Sequence, residues 1–299
     1  MSKKQLAFTL IELLVVIAII GILSGLIVVS MSGVTQKATI AKAQVFSNSL
    51  RNSLMLNLVS EWKFDGMTSD GADAVAGDVL DTWSGGNNGS ITIAPTVKTS
   101  SNCVSGSCLY FNGSDDYVSL GGSNSLAIAK KITVETWVKI DSFASDRILI
   151  VKSTGFGFNY GFLLRTCNGT PQFRFVVGNG TAIGDPLSGA VMANKWYHVV
   201  GTYDGSNVKI YLDGQFKTSV SLTGDINYTG VGNLYFGRDS TWAGPVALGY
   251  LDNVRIYSDA VPVSYIKEQY YIGLSKLLIN GAINKEEYLS RTEELLAQK

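Results

Sequence analysis

At 299 residues the chain is long enough for one or two domains with a sizeable buried core, and its 24 basic and 24 acidic side chains cancel. That balance removes the basic field on which nucleic-acid binding rests, so no nucleic acid is expected as a partner. Charged residues are sparse at 16% and glycine is frequent at 32 residues, which past the N-terminal stretch favours a β domain turned at glycines over a helical one.

The chain opens on Lys3 and Lys4, and from Leu13 to Val29 an apolar run is broken only by Gly21, Ser24 and Gly25. No charge stands between Glu12 and Lys37. A helix needs ~20 largely apolar residues to cross a bilayer, so the run predicts a membrane span. Basic residues before it, and none for many positions after it, place the N-terminus in the cytoplasm and the bulk outside. A secretory signal peptide has a shorter apolar region, ~7–15 residues, ending at a small-residue cleavage site. Glu12 fits no plain anchor, because a carboxylate in hydrocarbon costs ~2.5–3.5 kcal/mol and needs a partner.

The stretch Lys-Lys-Gln-Leu-Ala-Phe-Thr-Leu-Ile-Glu, from Lys3 to Glu12, resembles the type IV prepilin leader shared by pilins and type II secretion pseudopilins. The resemblance implies a leader over 1–7, cut between Ala7 and Phe8 by a membrane-embedded prepilin peptidase, and N-methylation of the new Phe8 amine. It also supplies Glu12 with a partner. In such filaments this carboxylate faces the N-terminal ammonium of a neighbouring pilin or pseudopilin subunit, neutralising two charges in an apolar core. The family usually has Gly before the cut; Ala7 is small enough to be accepted and implies slower processing. An ordinary signal anchor is the alternative.

From Phe8 to about Ser60 there is no proline and the helical pattern continues, with Val45, Phe46, Ser49 and Leu50 on one side. Leu54, Leu56 and Leu58 follow, suiting burial against a globular head. The expectation is a transmembrane and stalk helix over 8–60, roughly 80 Å long at ~1.5 Å per residue. Gly21, Gly25 and Gly33 are its weak points.

From 61 to 257 the pattern changes to short alternating runs between turn residues. Cys108–Asn112, Tyr117–Leu120, Ile132–Ile140, Arg147–Lys152, Gln172–Val177, Lys195–Tyr203, Val208–Leu212 and Gly249–Tyr257 read as strands. Asp213-Gly214 predicts a hairpin turn of the primed type, and Asp204-Gly205 the same before the preceding strand. Many short strands with Gly/Asn/Asp turns read as a two-sheet sandwich. Cys103 and Cys108 flank Val-Ser-Gly-Ser, a loop short enough for a disulfide in an oxidising compartment; two free thiols are the other reading. Cys167 is expected to be a small buried or half-buried hydrophobe.

Four stretches make the type more definite: Leu109–Val118, Ile132–Val138, Lys195–Gly205 and Leu251–Tyr257. In this order they resemble the laminin-G-like, concanavalin A-type jelly roll. Trp62-Lys63-Phe64-Asp65 resembles its first strand, and Asp81–Gly89 its early loop. The tail over 258–299 predicts two helices, the first covering Ser264–Gly273 and Leu274–Asn280 and ending at Gly281. Asn284 is expected to cap the second, with Glu287 as its capping-box partner.

Chemistry is sparse. Glycoside hydrolysis needs two carboxylates ~5–5.5 or ~6.5–9.5 Å apart. Between Trp62 and Tyr257 the only glutamate is Glu135, set among Thr and hydrophobes, and His198 is the only histidine in the chain. No enzyme is expected. In the resembled fold the Asp of the last long strand commonly holds a structural calcium, which implies Asp252, with Asp65, Asp81 and the Asn112 and Gly113 carbonyls nearby; the alternative is that these Asp residues only cap turns. Loop aromatics such as Phe156, Phe158, Tyr160, Tyr228 and Trp242 are candidates for stacking on sugars.

The whole reads as α+β: a long N-terminal transmembrane and stalk helix, an all-β concanavalin A-like jelly roll over 61–257, and a short C-terminal helical hairpin. The resemblances imply a structural or adhesive pilin-like subunit, held in the inner membrane by a single pass before assembly and then displayed on a pilus at the cell surface. A glycan or a cell-surface protein is the implied target of the head. A type II secretion pseudopilin is the alternative, and a surface-tethered polysaccharide hydrolase or lyase a weaker one.

Overall fold

The computed structural model describes residues 57–75, 77–83, 86–153, 160–167, 169–238 and 246–297. Ala7, Phe8, Glu12 and the expected helix as far as residue 56 lie outside these, as do Phe156, Phe158 and Trp242. Among the described residues no helix is long and apolar enough to cross a membrane.

Two antiparallel sheets face each other. The larger runs in the order β13 (Gln215–Ser221), β12 (Asn207–Leu212), β11 (Trp196–Tyr203), β6 (Ile132–Ile140), β15 (Leu248–Tyr257), β4 (Ser107–Asn112) and β3 (Thr96–Thr99), and β1 (Leu58–Trp62) also pairs with β15. The smaller runs β10 (Ile183–Gly184), β9 (Thr170–Asn179), β8 (Tyr160–Cys167), β7 (Ile148–Ser153), β14 (Tyr235–Phe236), β5 (Tyr117–Ser119) and β2 (Ser90–Ile93). Because side chains alternate along a strand, β6 sends Ile132, Val134, Val138 and Ile140 into the core between the sheets, where Val199, Phe175 and Phe236 meet them. Its other face, with Glu135 and Trp137, is also buried, against a helix.

That helix is α1 (Val263–Ile279), followed by α2 (Lys285–Leu296). Trp137 and Trp196 on the sheet pack with Tyr270, Leu274 and Leu277 of α1, and with Leu295 of α2. Gly273 permits this approach, since a Cβ there would overlap the Trp137 ring. The first tail helix is continuous through Gly273–Leu274. Asn284 caps α2 by accepting the Glu287 N–H at 2.8 Å, while the Glu287 carboxylate accepts from Arg291 at 3.2 Å.

Three expectations need correction. The helix expected to reach Ser60 does not: Leu58–Trp62 is strand β1, paired with β15 from Leu58–Tyr257 to Trp62–Val254. Leu54, Leu56 and Leu58 already alternate with the period of a strand, and tertiary pairing takes up the end of that run. The first strand therefore ends at Trp62, where the expected one begins, and Phe64, at φ 62°, lies beyond it. The turn at Asp204-Gly205 is not primed. Tyr203 pairs with Val208, and the Asp204 carboxylate accepts the N–H groups of Ser206 and Asn207, forming an Asx turn in a longer loop. At Asp213-Gly214 both residues do take positive φ, 53° and 76°, and close the hairpin between β12 and β13.

Candidate functional site

Asp252 lies at an irregularity of β15, between Leu251, which pairs with Leu109 of β4, and Val254, which pairs with Trp62 of β1. Asn253 beside it has φ 50°. At this gap the Asp252 carboxylate is fully buried. Its Oδ2 accepts the N–H groups of Val104 at 2.8 Å and Ser105 at 3.2 Å, and its Oδ1 accepts from the Asn253 amide at 2.9 Å. Both backbone donors belong to the loop closed by the Cys103–Cys108 disulfide. Burial raises the Asp252 carboxyl well above the ordinary carboxylate range; these N–H groups offset part of that, and the Asp65 charge adds to it. Asp65 approaches through Ser105, whose hydroxyl donates to its Oδ1 at 3.1 Å.

The other residues of the expected calcium group do not join this pair. Asp81 accepts the N–H groups of Glu61, Trp83 and Asn87 and organises its own loop. Asn112 accepts from Ser114 N–H at 2.7 Å, and the Gly113 carbonyl accepts from Arg147 at 3.4 Å, at the far end of β4. Among the described residues no three His, Cys, Asp or Glu side chains gather as metal ligands. Calcium takes six to eight oxygens, whereas the Asp252 oxygens are met by N–H donors. This arrangement does not fit the ion.

A denser polar group lies between the larger sheet and α1. Arg255 stands opposite both Glu61 and Glu135 in the register of β15. Its guanidinium donates to Glu61 Oε1 at 2.8 Å, Glu135 Oε1 at 3.0 Å and Gln269 Oε1 of α1 at 3.0 Å. Glu135 also accepts from Tyr257 at 3.2 Å, and its Oε1 lies 3.1 Å from His198 Nε2. Burial alone would raise both carboxyls; Arg255 above all, with His198 and Tyr257 at Glu135 and Lys63 at Glu61, brings them below the usual value. Glu61 and Glu135 are thus a carboxylate pair that sequence spacing does not reveal, but Arg255 bridges them as anions under α1. Neither is poised to give up a proton. His198 is fully buried beside Trp137 and Tyr270, a structural position.

The open surface is elsewhere. Tyr228 is half-buried against the core, its hydroxyl donating to the Ile128 carbonyl at 3.1 Å. Trp83, Phe216 and Tyr271 are exposed singly, whereas on the outer face of the larger sheet half-buried Tyr110 and Tyr250 lie together, 4.8 Å apart. The Lys139 ammonium stands 3.8 Å over the Tyr250 ring and 5.4 Å from that of Trp196. Burial lowers the Lys139 pKa, against the pull of Asp141. Beside them a cleft of about 320 Å³ opens against the helical pair, lined among others by Lys139, Lys195, Trp196, Ile283 and Glu287. In the sequence these residues sit inside stretches that signal the fold. Their one distinguishing sign is that outward strand positions carry rings where polar side chains would be ordinary.

Residues 112–267 match the concanavalin A-like lectin/glucanases superfamily, and residues 2–28 match the prokaryotic N-terminal methylation motif. Among solved structures, the sandwich is similar to the binding domain of paraclostridial mosquitocidal protein 1 (14% identity, 74% of this chain and 53% of that one, TM-score 0.56). It is similar too to the ligand-binding domain of botulinum neurotoxin serotype D, solved with N-acetylneuraminic acid (17% identity, 74% and 52%, TM-score 0.53). A third is domain 4 of AbnA, an extracellular arabinanase of Geobacillus stearothermophilus, solved with arabinotriose (19% identity, 71% and 97%, TM-score 0.53). The matched part of this chain spans about half the length of the two toxin domains. At these identities the likeness is one of fold. No curated protein matches the sequence.

Proposed function

The chain belongs to the concanavalin A-like lectin/glucanases superfamily, and from that membership together with its methylation motif we propose that it is a pilin-like subunit displaying a saccharide-binding head. The observation that carries this reading is the presence in one chain of a filament-entry motif and a sandwich of binding-domain type. Prepilin peptidase would cut after Ala7, and the exposed Phe8 amine would be methylated. In a filament, Glu12 would meet the N-terminal ammonium of the next subunit, which removes two uncompensated charges from apolar surroundings. Before assembly the protein would sit in the cytoplasmic membrane, with its head outside.

Two of the similar solved domains hold sugars, which supports a saccharide as the target of the head. The head works by binding without turnover. Supporting this, the only pair of glutamates brought together among the described strands is bridged by Arg255 and covered by α1.

The test is immunogold electron microscopy of sheared surface fractions, with mass spectrometry of the N-terminus. Labelled filaments whose subunits begin at methylated Phe8 are expected. A processed protein confined to the envelope would instead assign it to a type II secretion pseudopilin, and an intact Met1 would overturn the reading. Glu12→Ala should be processed normally yet enter filaments poorly.

A further inference from the structure

Four neighbouring strands set Trp196, Lys139, Tyr250 and Tyr110 in one row across the outer face of the larger sheet. Trp196 lies opposite Lys139, Lys139 opposite Tyr250, and Tyr250 opposite Tyr110. Three inter-strand spacings make the row ~14 Å long. Its Tyr110 end carries Lys98, 6.0 Å from the ring, and its Trp196 end runs into the cleft against the helical pair. The row therefore sets two half-buried tyrosine rings and an ammonium group beside a concave site.

At the cleft end, donors outnumber acceptors. Among the described residues the Lys139 ammonium meets the Tyr250 and Trp196 rings and feels the Asp141 carboxylate, which accepts from the Tyr110 hydroxyl at 3.2 Å, while the Lys195 ammonium meets the Tyr197 ring at 5.5 Å. The buried Trp196 indole Nε1 has no hydrogen-bond partner among the described residues. Glu287, the acid lining this cleft, already accepts from Arg291 at 3.2 Å. Buried and half-buried donors of this kind call for an acceptor, and a negatively charged one suits the two ammonium groups. A neutral sugar brings no negative charge to either ammonium group, and a small inorganic anion would leave the rings unused. A sugar ring bearing a carboxylate uses both.

The geometry points to this row as the binding site for a saccharide chain carrying carboxylates, with uronic or sialic acid units, in which Tyr250 and Tyr110 take ring faces and Lys139 takes the charge. The inference rests on the reading of the head as a saccharide-binding module and deepens it. No metal enters into it.

The test is calorimetric titration of the purified full chain, in detergent, with two matched pairs: trigalacturonate against its methyl ester, and sialyllactose against lactose. At least one acidic member should bind roughly ten- to a hundredfold more tightly than its neutral counterpart, the worth of a charge-assisted hydrogen bond. Which pair shows the difference separates a uronic from a sialic source. Lys139→Gln should erase the difference, while Tyr250→Leu should weaken acidic and neutral members alike. Lys130→Gln, on the surface and paired with Asp225, serves as the control that changes neither. The matched ligands need no variant, so a misfolded mutant cannot rescue or sink the result. Acidic and neutral members binding equally, or binding untouched by Lys139→Gln and Tyr250→Leu, would overturn this site while leaving a saccharide-binding head intact. No binding by any of the four would overturn the site and remove its support from the wider reading. Capture of an acidic peptide with none of the sugars would overturn the ligand class.

Discussion

Arg291→Met tests whether one buried cation holds the helical pair to the sheet. The Arg291 side chain is 2% exposed and donates to the Trp196 carbonyl at 2.8 Å, Asp213 Oδ2 at 3.1 Å, the Tyr270 hydroxyl at 3.1 Å and Glu287 Oε1 at 3.2 Å. Methionine keeps much of the apolar stem, so the loss falls on these four bonds. Breaking a buried pair by removing one partner costs ~3–5 kcal/mol. The lower end applies here, because Asp213 keeps the His198 N–H at 2.9 Å and Glu287 reaches solvent. For a domain of this size, each kcal/mol moves the melting temperature by about 2–4 °C, so a drop of roughly 6–12 °C is expected. Thermal unfolding of the full chain reads the drop, and hydrogen exchange should show the amides of Lys285–Leu296 losing protection ahead of the sheet. Arg291→Lys should fall between the two proteins, since an ammonium cannot reach four partners in the guanidinium's plane. A shift under about 2 °C for Arg291→Met, with α2 exchange unchanged, would refute the clamp.

Glu61 and Glu135 have folded pKa values below their ordinary 4.5, so they contribute stability at pH values above 4.5 that is lost as pH falls through the folded values. Denaturation between pH 6 and pH 3 should therefore show an acid decline that is shallower in Glu135→Gln; equal slopes would contradict it. Calcium or a chelator should leave the melting temperature unchanged, whereas a calcium-dependent rise abolished by Asp252→Asn would show that the ion does bind there. Reducing or replacing Cys103 and Cys108 should cost about 2 kcal/mol from loop closure, since the bridge spans only five residues of separation, and chemical denaturation would read it. A larger loss would mean that the N–H groups on Asp252 also disengage.

The inner strands were legible because their pattern is strong. Ile132–Ile140 and the β11 strand carry β-branched and aromatic residues at alternate positions, and Asp213-Gly214 marks its turn by chemistry that accepts positive φ. The edge strands were not. Thr96–Thr99 is short, and both it and Gln215–Ser221 are rich in Thr, Ser and Lys, with little burial to impose an apolar face. Leu58–Trp62 joined the sheet against a helical reading because its apolar residues suit either period, and its partner Arg255–Tyr257 lies almost two hundred residues away.

By itself the sequence determined the methylation motif, the alternation that makes a sandwich, the small loop between Cys103 and Cys108, and the Asn284 cap. All of these are written in neighbouring residues, where propensity, periodicity and spacing act. Only the tertiary structure decided that Asp252 faces backbone N–H groups, that Arg255 bridges Glu61 and Glu135, and that Trp196, Lys139, Tyr250 and Tyr110 share one row. Those relations depend on strand register, and register is set by packing between segments that the chain itself keeps far apart.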